Sequence, residues 1–362
     1  MKEIVILPWE EREDIDKVFV PDYINTLAKE VIKNYSFQVN SMEVVATKPE
    51  QGGAIWKLAT SKGPKSLKLL HRRPTRSLFS LGAQRYLVDV KGARVPAIVK
   101  TNKGQDFIEA GGKIWFVAEW IEPLAPIAKD LEGTKQLCYT LGQFHVQTKG
   151  YVPPNGAEIA SRLYKWPKKY EKMMNKMDWF RNLADAYREM PASSVILNVI
   201  GKYQEEVRTS LNRLNQSKYS DLVKKGNKEW GLAHQDYGWS NSQMGRNGMW
   251  IIDLDGVAYD LPIRDLRKLI TGKMAELYKW DVTWVREMIQ AYHRANPISP
   301  ELYEVLMIDL SLPNEFYRFM KDIVKEPELF LNQTTTEVIN SLIVTEQSKW
   351  PVLKAIQNDW RK

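Results

Sequence analysis

Cysteine is almost missing from this 362-residue chain: Cys138 stands alone, so no internal disulfide can form. Histidine is scarce as well, and His71, His145, His234 and His293 are too scattered to suggest a zinc site. No apolar run approaches the length needed to span a bilayer. The opening MKEIVILPWEERED turns acidic where a secretory signal would stay apolar, so a soluble protein made in the cytoplasm without a signal peptide is expected. Internal repeats and low-complexity tracts are lacking too, which excludes solenoid and collagen-like architectures.

What is present is globular in texture, with 44% hydrophobic and 27% charged residues. The length allows one large domain or two lobes, each with its own core. The net charge of +8 is mild and does not by itself indicate nucleic acid. Its densest source is the segment from Arg162 to Lys176, where Lys165, Lys168, Lys169 and Lys172 join those two residues against Glu171 alone. Tyr164, Trp166 and Tyr170 interleave with these cations, as in some RNA- or membrane-binding surfaces. A solvated helix face beside a buried aromatic stripe is the simpler account.

From Ser41 to about Trp120 the chain runs in short β-branched or aromatic stretches: Met42–Thr47, Ala54–Thr60, Ser66–Leu70 and Lys113–Trp120. Glycine turns separate them, and one helical stretch, Arg76 to Val90, interrupts them. After Pro126 the period becomes helical. Leu137, Leu141, Phe144 and His145 share one face, and Val195, Val199, Tyr203, Val207, Leu211 and Leu214 form a longer stripe. Ser299-Pro300 has the form of a capped helix start. An α+β chain follows, with an antiparallel β-rich lobe over 1–121, a hinge near 119–122, and a helical lobe over 122–362.

The chemistry concentrates between Trp230 and Arg267. His234-x-Asp236 is followed by Asn241, then by Asp253 and Asp255 in Ile-Ile-Asp-Leu-Asp. Between Asn241 and Asp253 lie two short runs around Gly245-Arg-Asn-Gly248, a hairpin signal. Pairing about that turn brings an amide oxygen and a carboxylate together at the hairpin mouth, as a magnesium ion requires. Asp236 on the preceding loop is then available to accept a proton from an attacking hydroxyl. Metal and base together are what phosphoryl transfer needs. His234 suits loop support, and Asp255 serves equally as a second metal contact or as a plain loop carboxylate.

His-x-Asp-x4-Asn followed by Ile-Asp-x-Asp resembles the catalytic motif of aminoglycoside and choline phosphotransferases, which have a bilobal protein-kinase-like fold. Several flanking pieces resemble the CotS family of spore coat proteins, a branch of that superfamily. They include Ser66-Leu-Lys-Leu-Leu-His-Arg-Arg-Pro74, Leu78-Phe-Ser-Leu-Gly-Ala-Gln84 and Tyr259-Asp-Leu-Pro-Ile-Arg-Asp-Leu-Arg267. The resemblance implies that ATP and Mg2+ are cofactors, that Asp236 is the base, and that Asn241 and Asp253 hold metal. It also implies that Lys68 meets nucleotide phosphates, that Glu119 and Ile121 belong to the adenine-binding hinge, and that Asp265 supports the catalytic loop. An ordinary solvent-facing lysine is a better description of Lys65 or Lys57. His145 is expected in the core.

Two departures stand out. Gly52 and Gly53 are only a fragment of a glycine-rich phosphate loop, and the helix that should offer Lys68 a glutamate offers Gln84. The expected function is a kinase-like spore coat protein that binds Mg-ATP, with potential phosphoryl transfer to a hydroxyl of a small molecule or coat component, turnover being left open, and with nucleotide and other coat proteins as partners. The alternative is a catalytically silent pseudokinase acting in coat assembly. Ile251–Val257 also resembles the first motif of haloacid-dehalogenase phosphatases, but the helical texture after Val257 lacks that fold's remaining motifs.

Overall fold

A computed structural model describes residues 5–10, 18–326, 328–329 and 332–359. In chain order the elements are α1 (Asp22–Ile32), β1 (Val39–Lys48), β2 (Gly53–Thr60), β3 (Lys65–Leu69), α2 (Pro74–Asp89), β4 (Ile98–Val99), β5 (Ile108–Ala110) and β6 (Lys113–Glu119). There follow α3 (Leu131–Thr148), α4 (Trp166–Ala186), α5 (Pro191–Gln216), α6 (Tyr219–Lys224), α7 (Asn227–Trp230), β7 (Leu232–Ala233), β8 (Ser242–Gly245), β9 (Gly248–Ile251) and β10 (Ala258–Tyr259). The chain ends with α8 (Ile263–Glu276), α9 (Val282–Ala295), α10 (Pro300–Leu310), α11 (Asn314–Lys325) and α12 (Gln333–Ile356). Among the described residues, strands β1 to β6 with two α-helices thus occupy the chain before Pro126 and ten α-helices with four short strands follow it, in keeping with the change of period there.

Contacts divide the chain into two compact units made of interleaved segments. The first comprises 1–127, 151–160 and 239–258, and the second 128–150, 161–238 and 259–362. In the first, an antiparallel sheet runs β1-β2-β3-β6-β4, with β5 also paired to β6. Trp56, Leu58, Leu67, Leu69, Trp115 and Val117 are buried with Ile24, Ala28 and Val31 of α1. Strand alternation puts the opposite set, Ile55, Lys57, Ser66 and Lys68, on the other face, with Ile55 opposite Lys68 and Lys57 opposite Ser66. The β8–β9 hairpin turns at Arg246-Asn247 with Gly245 opposite Gly248. It joins this unit through paired bonds between Ala125 and Met244, and through Ile251 N–H to the Arg94 carbonyl at 2.9 Å.

The second unit is helical. The α5 stripe is buried through Ile196, Ile200, Tyr203, Val207, Leu211 and Leu214, while Val195 and Val199 are only half-buried. Steps of three and four from Tyr203 both obey the helical period, and packing selects the neighbour. Leu137, Leu141, Phe144 and His145 are buried together on α3 as expected. The Ser299 hydroxyl accepts from Leu302 N–H and starts α10 ahead of Pro300.

Candidate active site

Lys68 sits on β3 with apolar neighbours on either side, so the strand turns its ammonium to the face away from the tryptophan core. That ammonium lies 3.8 Å from Asp253 Oδ1, with 16% of the lysine and 30% of the aspartate side chain exposed. Asp253 follows β9 in the left-handed region at φ 59°, which a short carboxylate tolerates better than most side chains. Ile252 N–H donates to the Asn241 carbonyl at 2.9 Å, so the hairpin mouth is closed as its pattern requires.

Asn241, Asp253 and Lys68 line one cavity of about 960 Å³ within the first unit. The segment Glu119–Leu124 forms another wall, with Ile55, Lys57, Ser66 and Gln84 also contributing. Glu119 N–H donates to the Ala97 carbonyl at 2.9 Å and Trp120 N–H to the Pro64 carbonyl at 3.3 Å, which ties that wall to the sheet. The volume falls within the range of small-molecule sites.

The other lysines depart from expectation. Lys65 is not solvent-facing: it is buried, and its ammonium bonds Glu119 Oε2 at 2.9 Å and the Lys62 carbonyl at 2.7 Å. Lys57 faces the cavity, paired with Glu122 at 2.8 Å and lying 5.1 Å from the Trp120 ring centroid. Gln84 Nε2 donates to the Pro96 carbonyl at 2.7 Å, and the ion pair of Lys68 is with Asp253.

Gly52 and Gly53 are not among the described lining residues. Gly52 is left-handed, and a Cβ there would meet Ile6 and Leu7 at 3.5 Å. Those are ordinary contact distances, so Gly52 answers to its left-handed backbone, whereas a Cβ on Gly53 would stand 2.8 Å from His71 Cβ, so Gly53 answers to close packing by the chain itself. Asp255 lies in the short turn Leu254–Gly256, outside the described lining as well. Its charge acts on His71, whose pKa is lowered by burial and Lys48 against the opposing pull of Asp255.

The donor chemistry fits magnesium. An amide oxygen and a carboxylate are hard ligands, and magnesium takes few protein groups when phosphate and water oxygens complete its shell. Among the described residues no cluster of three or more His, Cys, Asp or Glu side chains is gathered for a metal. A site of one carboxylate and one amide is therefore suited to a metal that arrives with phosphate.

The second unit holds the loop of Asp236. Asp265, at the start of α8, accepts from His234 N–H at 2.6 Å, Gln235 N–H at 3.1 Å and Arg264 Nη1 at 2.8 Å, with His145 Nε2 at 3.3 Å. Burial alone would raise its pKa, but the His145 hydrogen bond and the Arg264 charge outweigh it and hold the carboxyl well below the usual range. His145 is fully buried, bonded also to the Tyr292 hydroxyl. His234 is fully buried as well, and Gln235 is held at φ 73°. Asp236 projects outward, 68% exposed, with Lys268 Nζ 2.6 Å from its Oδ1. Lys268 escaped the sequence reading, although three residues after Asp265 is one helical face.

No family model matches the chain. Over 346 residues it is 26% identical to spore coat protein S of Bacillus subtilis (strain 168), covering 95% of this chain and 98% of that protein. An aminoglycoside phosphotransferase from Alicyclobacillus acidocaldarius has the same fold, with a TM-score of 0.73 at 15% identity over 96% of this chain and 98% of that one. A spectinomycin phosphotransferase in complex with ADP and spectinomycin follows at 0.57 and 15%, over 91% and 96%. The resemblance to CotS-type proteins and the kinase-like α+β fold are thus borne out. Among the described residues no helix is long and apolar enough to cross a membrane.

Proposed function

We propose that this chain is a spore coat phosphotransferase that binds Mg-ATP through its sheet unit and transfers phosphate to a hydroxyl acceptor. The observation that carries the reading is the placement of Lys68, Asn241 and Asp253 on one cavity, with ammonium and carboxylate 3.8 Å apart. Lys68 holds the nucleotide phosphates, the Glu119–Ile121 wall takes the base, and Asn241 and Asp253 hold magnesium. When bound, the metal supplies charge neutralisation at the phosphates. Asp236 orients the acceptor hydroxyl and takes its proton, and Lys268, 2.6 Å from its Oδ1, fixes the direction in which the carboxylate points. Spectinomycin phosphotransferase, with ADP bound, is a precedent for nucleotide in this fold. Similarity to spore coat protein S supports the location and coat proteins as partners.

The test is the thermal midpoint of the purified protein titrated with ATP, with and without magnesium. A magnesium-dependent rise is expected, because a ligand selective for the folded state stabilises it by RT ln(1 + [L]/Kd). No shift at millimolar ATP would sink the reading and leave the silent scaffold. That second reading draws on Gly52 and Gly53, whose turn is packed by the chain itself, and on Gln84, committed to Pro96.

A further inference from the structure

A second constellation lies within the helical unit, beside the residue that precedes Asp236. The Trp166 indole donates to Asp260 Oδ1 at 2.7 Å, and Gln235 Nε2 donates to Asp260 Oδ2 at 3.2 Å. Arg264 Nη1 donates to the Gln235 carbonyl at 2.6 Å. Asp260 thereby selects one orientation of the Gln235 amide, since turning it would set oxygen against carboxylate. Gln235 is only 8% exposed, and its Oε1 is buried without a hydrogen-bond partner. A buried acceptor left open in this way calls for a donor that the chain does not provide.

Lys169 stands one turn into α4, its ammonium 6.0 Å from the Trp166 ring centroid. It makes no ion pair with any described residue. The carboxylates nearest in charge are already engaged. Asp309 is held by Arg267 Nε at 2.9 Å and the Tyr170 hydroxyl at 2.8 Å, and Asp260 by Trp166, Gln235 and its neighbour's Leu261 N–H. By area Lys169 is exposed, so a solute can reach it. Protein around its ammonium nevertheless lowers its pKa to about 8 by desolvation, with Arg267 and Arg264 adding to the effect against Asp309 and Asp260. Lys165 at the N-cap of this helix and Lys168, Lys172 and Lys176 on it also lack ion pairs with described residues, and their field draws anions to this end of the unit.

We infer that Lys169 and Gln235 form a recognition site for a small hydroxylated acceptor bearing a phosphate or carboxylate group. Lys169 takes the anion, and Gln235 Oε1 takes a hydrogen bond from a hydroxyl of the same molecule. Asp236, next in the chain, receives the proton of the hydroxyl to be phosphorylated. The word acceptor rests on the phosphotransferase reading; the anion site does not. A polycation of the aminoglycoside kind would meet Lys169, Arg264 and Lys268 and be repelled.

The experiment uses the full chain without nucleotide. Each lysine is labelled with an amine-reactive ester near pH 8 and quantified by mass spectrometry, with inorganic phosphate or acetate compared against chloride at equal ionic strength. Phosphate or acetate should slow labelling of Lys169 about fivefold near saturation while leaving Lys172 unchanged, the ion with the stronger effect identifying the group. Lys169→Gln should abolish any phosphate-induced rise in thermal midpoint. Equal protection of Lys169 and Lys172, or of neither, would overturn the site. With ATP present, Lys169→Gln should raise KM for glycerol 3-phosphate about tenfold with kcat retained, and leave neutral glycerol unaffected. Protection of Lys169 without phosphorylation of any anionic polyol would keep the anion site and discard the phosphotransferase reading.

Discussion

Replacing Asp253 with asparagine separates metal binding from folding. The substitution keeps the left-handed backbone at φ 59°, whereas alanine there would add strain of about 1 kcal/mol. At 3.8 Å from Lys68, the lost charge interaction is about 4 kcal/mol at an effective dielectric of 20. With 30% of the carboxylate side chain in water, screening and the cost of ordering the pair reduce its net worth to about 1 kcal/mol or less. The free protein should therefore lose no more than a few degrees in thermal midpoint.

The effect on ligand is larger and has two signs. Without metal, Asp253 repels phosphate and occupies Lys68, so Asp253→Asn should bind metal-free ATP about fivefold more tightly, a gain near 1 kcal/mol. With magnesium, a charged ligand is gone and affinity should fall about tenfold or more. The ratio of affinities with and without magnesium thus collapses roughly fiftyfold. Calorimetric titration of ATP with magnesium and with chelator measures both arms. Retention of the magnesium increment would remove Asp253 as a metal ligand. A fall in metal-free affinity would show that Asp253 holds Lys68 in place instead of competing for it.

Asp236→Asn should leave ATP binding and thermal midpoint unchanged, because its pair with Lys268 is exposed and worth about 0.5 kcal/mol. Turnover should drop by roughly a thousandfold, and retained turnover would exclude it as the base. Gln84→Glu removes the donor to Pro96 at a buried position and should cost about 2 kcal/mol with no gain in ATP affinity. A gain would mean that the side chain swings to Lys68. Asp265→Asn should cost about 3 kcal/mol at neutral pH, measured by urea unfolding. Since the folded carboxyl titrates below its unfolded value of about 3.9, that stability is fully present above it and is lost as pH falls toward the folded pKa. Wild type and variant should therefore converge in acid, and a constant gap would refute the role of its charge.

Strands β1, β2, β3 and β6 were legible because alternation and glycine turns are local signals, and the α10 cap because Ser-Pro is. The interleaving of the units was not. A single cut at 121 assigns the β8–β9 hairpin to the helices, whereas Ala125–Met244 and Arg94–Ile251 bonds bind it to the sheet unit. Those bonds are backbone pairings across more than 100 residues, for which side-chain pattern holds no signal. The same limit explains Lys57 and Lys65, since alternation shows that they share a strand face with particular neighbours but not which face meets a cavity. The cavity placement of Lys68, Asn241 and Asp253 needed only strand period and hairpin register, both written in the sequence. Lys169 looked like one solvated lysine among several. What distinguishes it is the prior engagement of Asp260 and Asp309 by other partners, which only tertiary structure supplies.

Backbone strain bears on the choice between enzyme and scaffold. Among the described residues only Gln235, Asp253 and Tyr278 outside glycine adopt positive φ, and the first two lie within the motif that suggested phosphoryl transfer. Such conformations cost on the order of 1 kcal/mol or more and persist where surroundings over-determine them. At Gln235 the surroundings are visible: Asp265 takes its N–H, Arg264 its carbonyl and Asp260 its amide, so three buried or half-buried charged groups hold one strained residue beside Asp236. A surface used only for assembly has no need of this, because an exposed Asp236 presents a carboxylate equally well from a relaxed turn. The rigid placement of Asp236 has a purpose if a hydroxyl must meet it at bonding distance, and the open Gln235 Oε1 beside it has a purpose if that hydroxyl belongs to a polar small molecule. On the proposed reading the packed Gly52–Gly53 turn would weaken nucleotide affinity without removing the chemistry, since Lys68, Asn241 and Asp253 line their cavity independently of that turn.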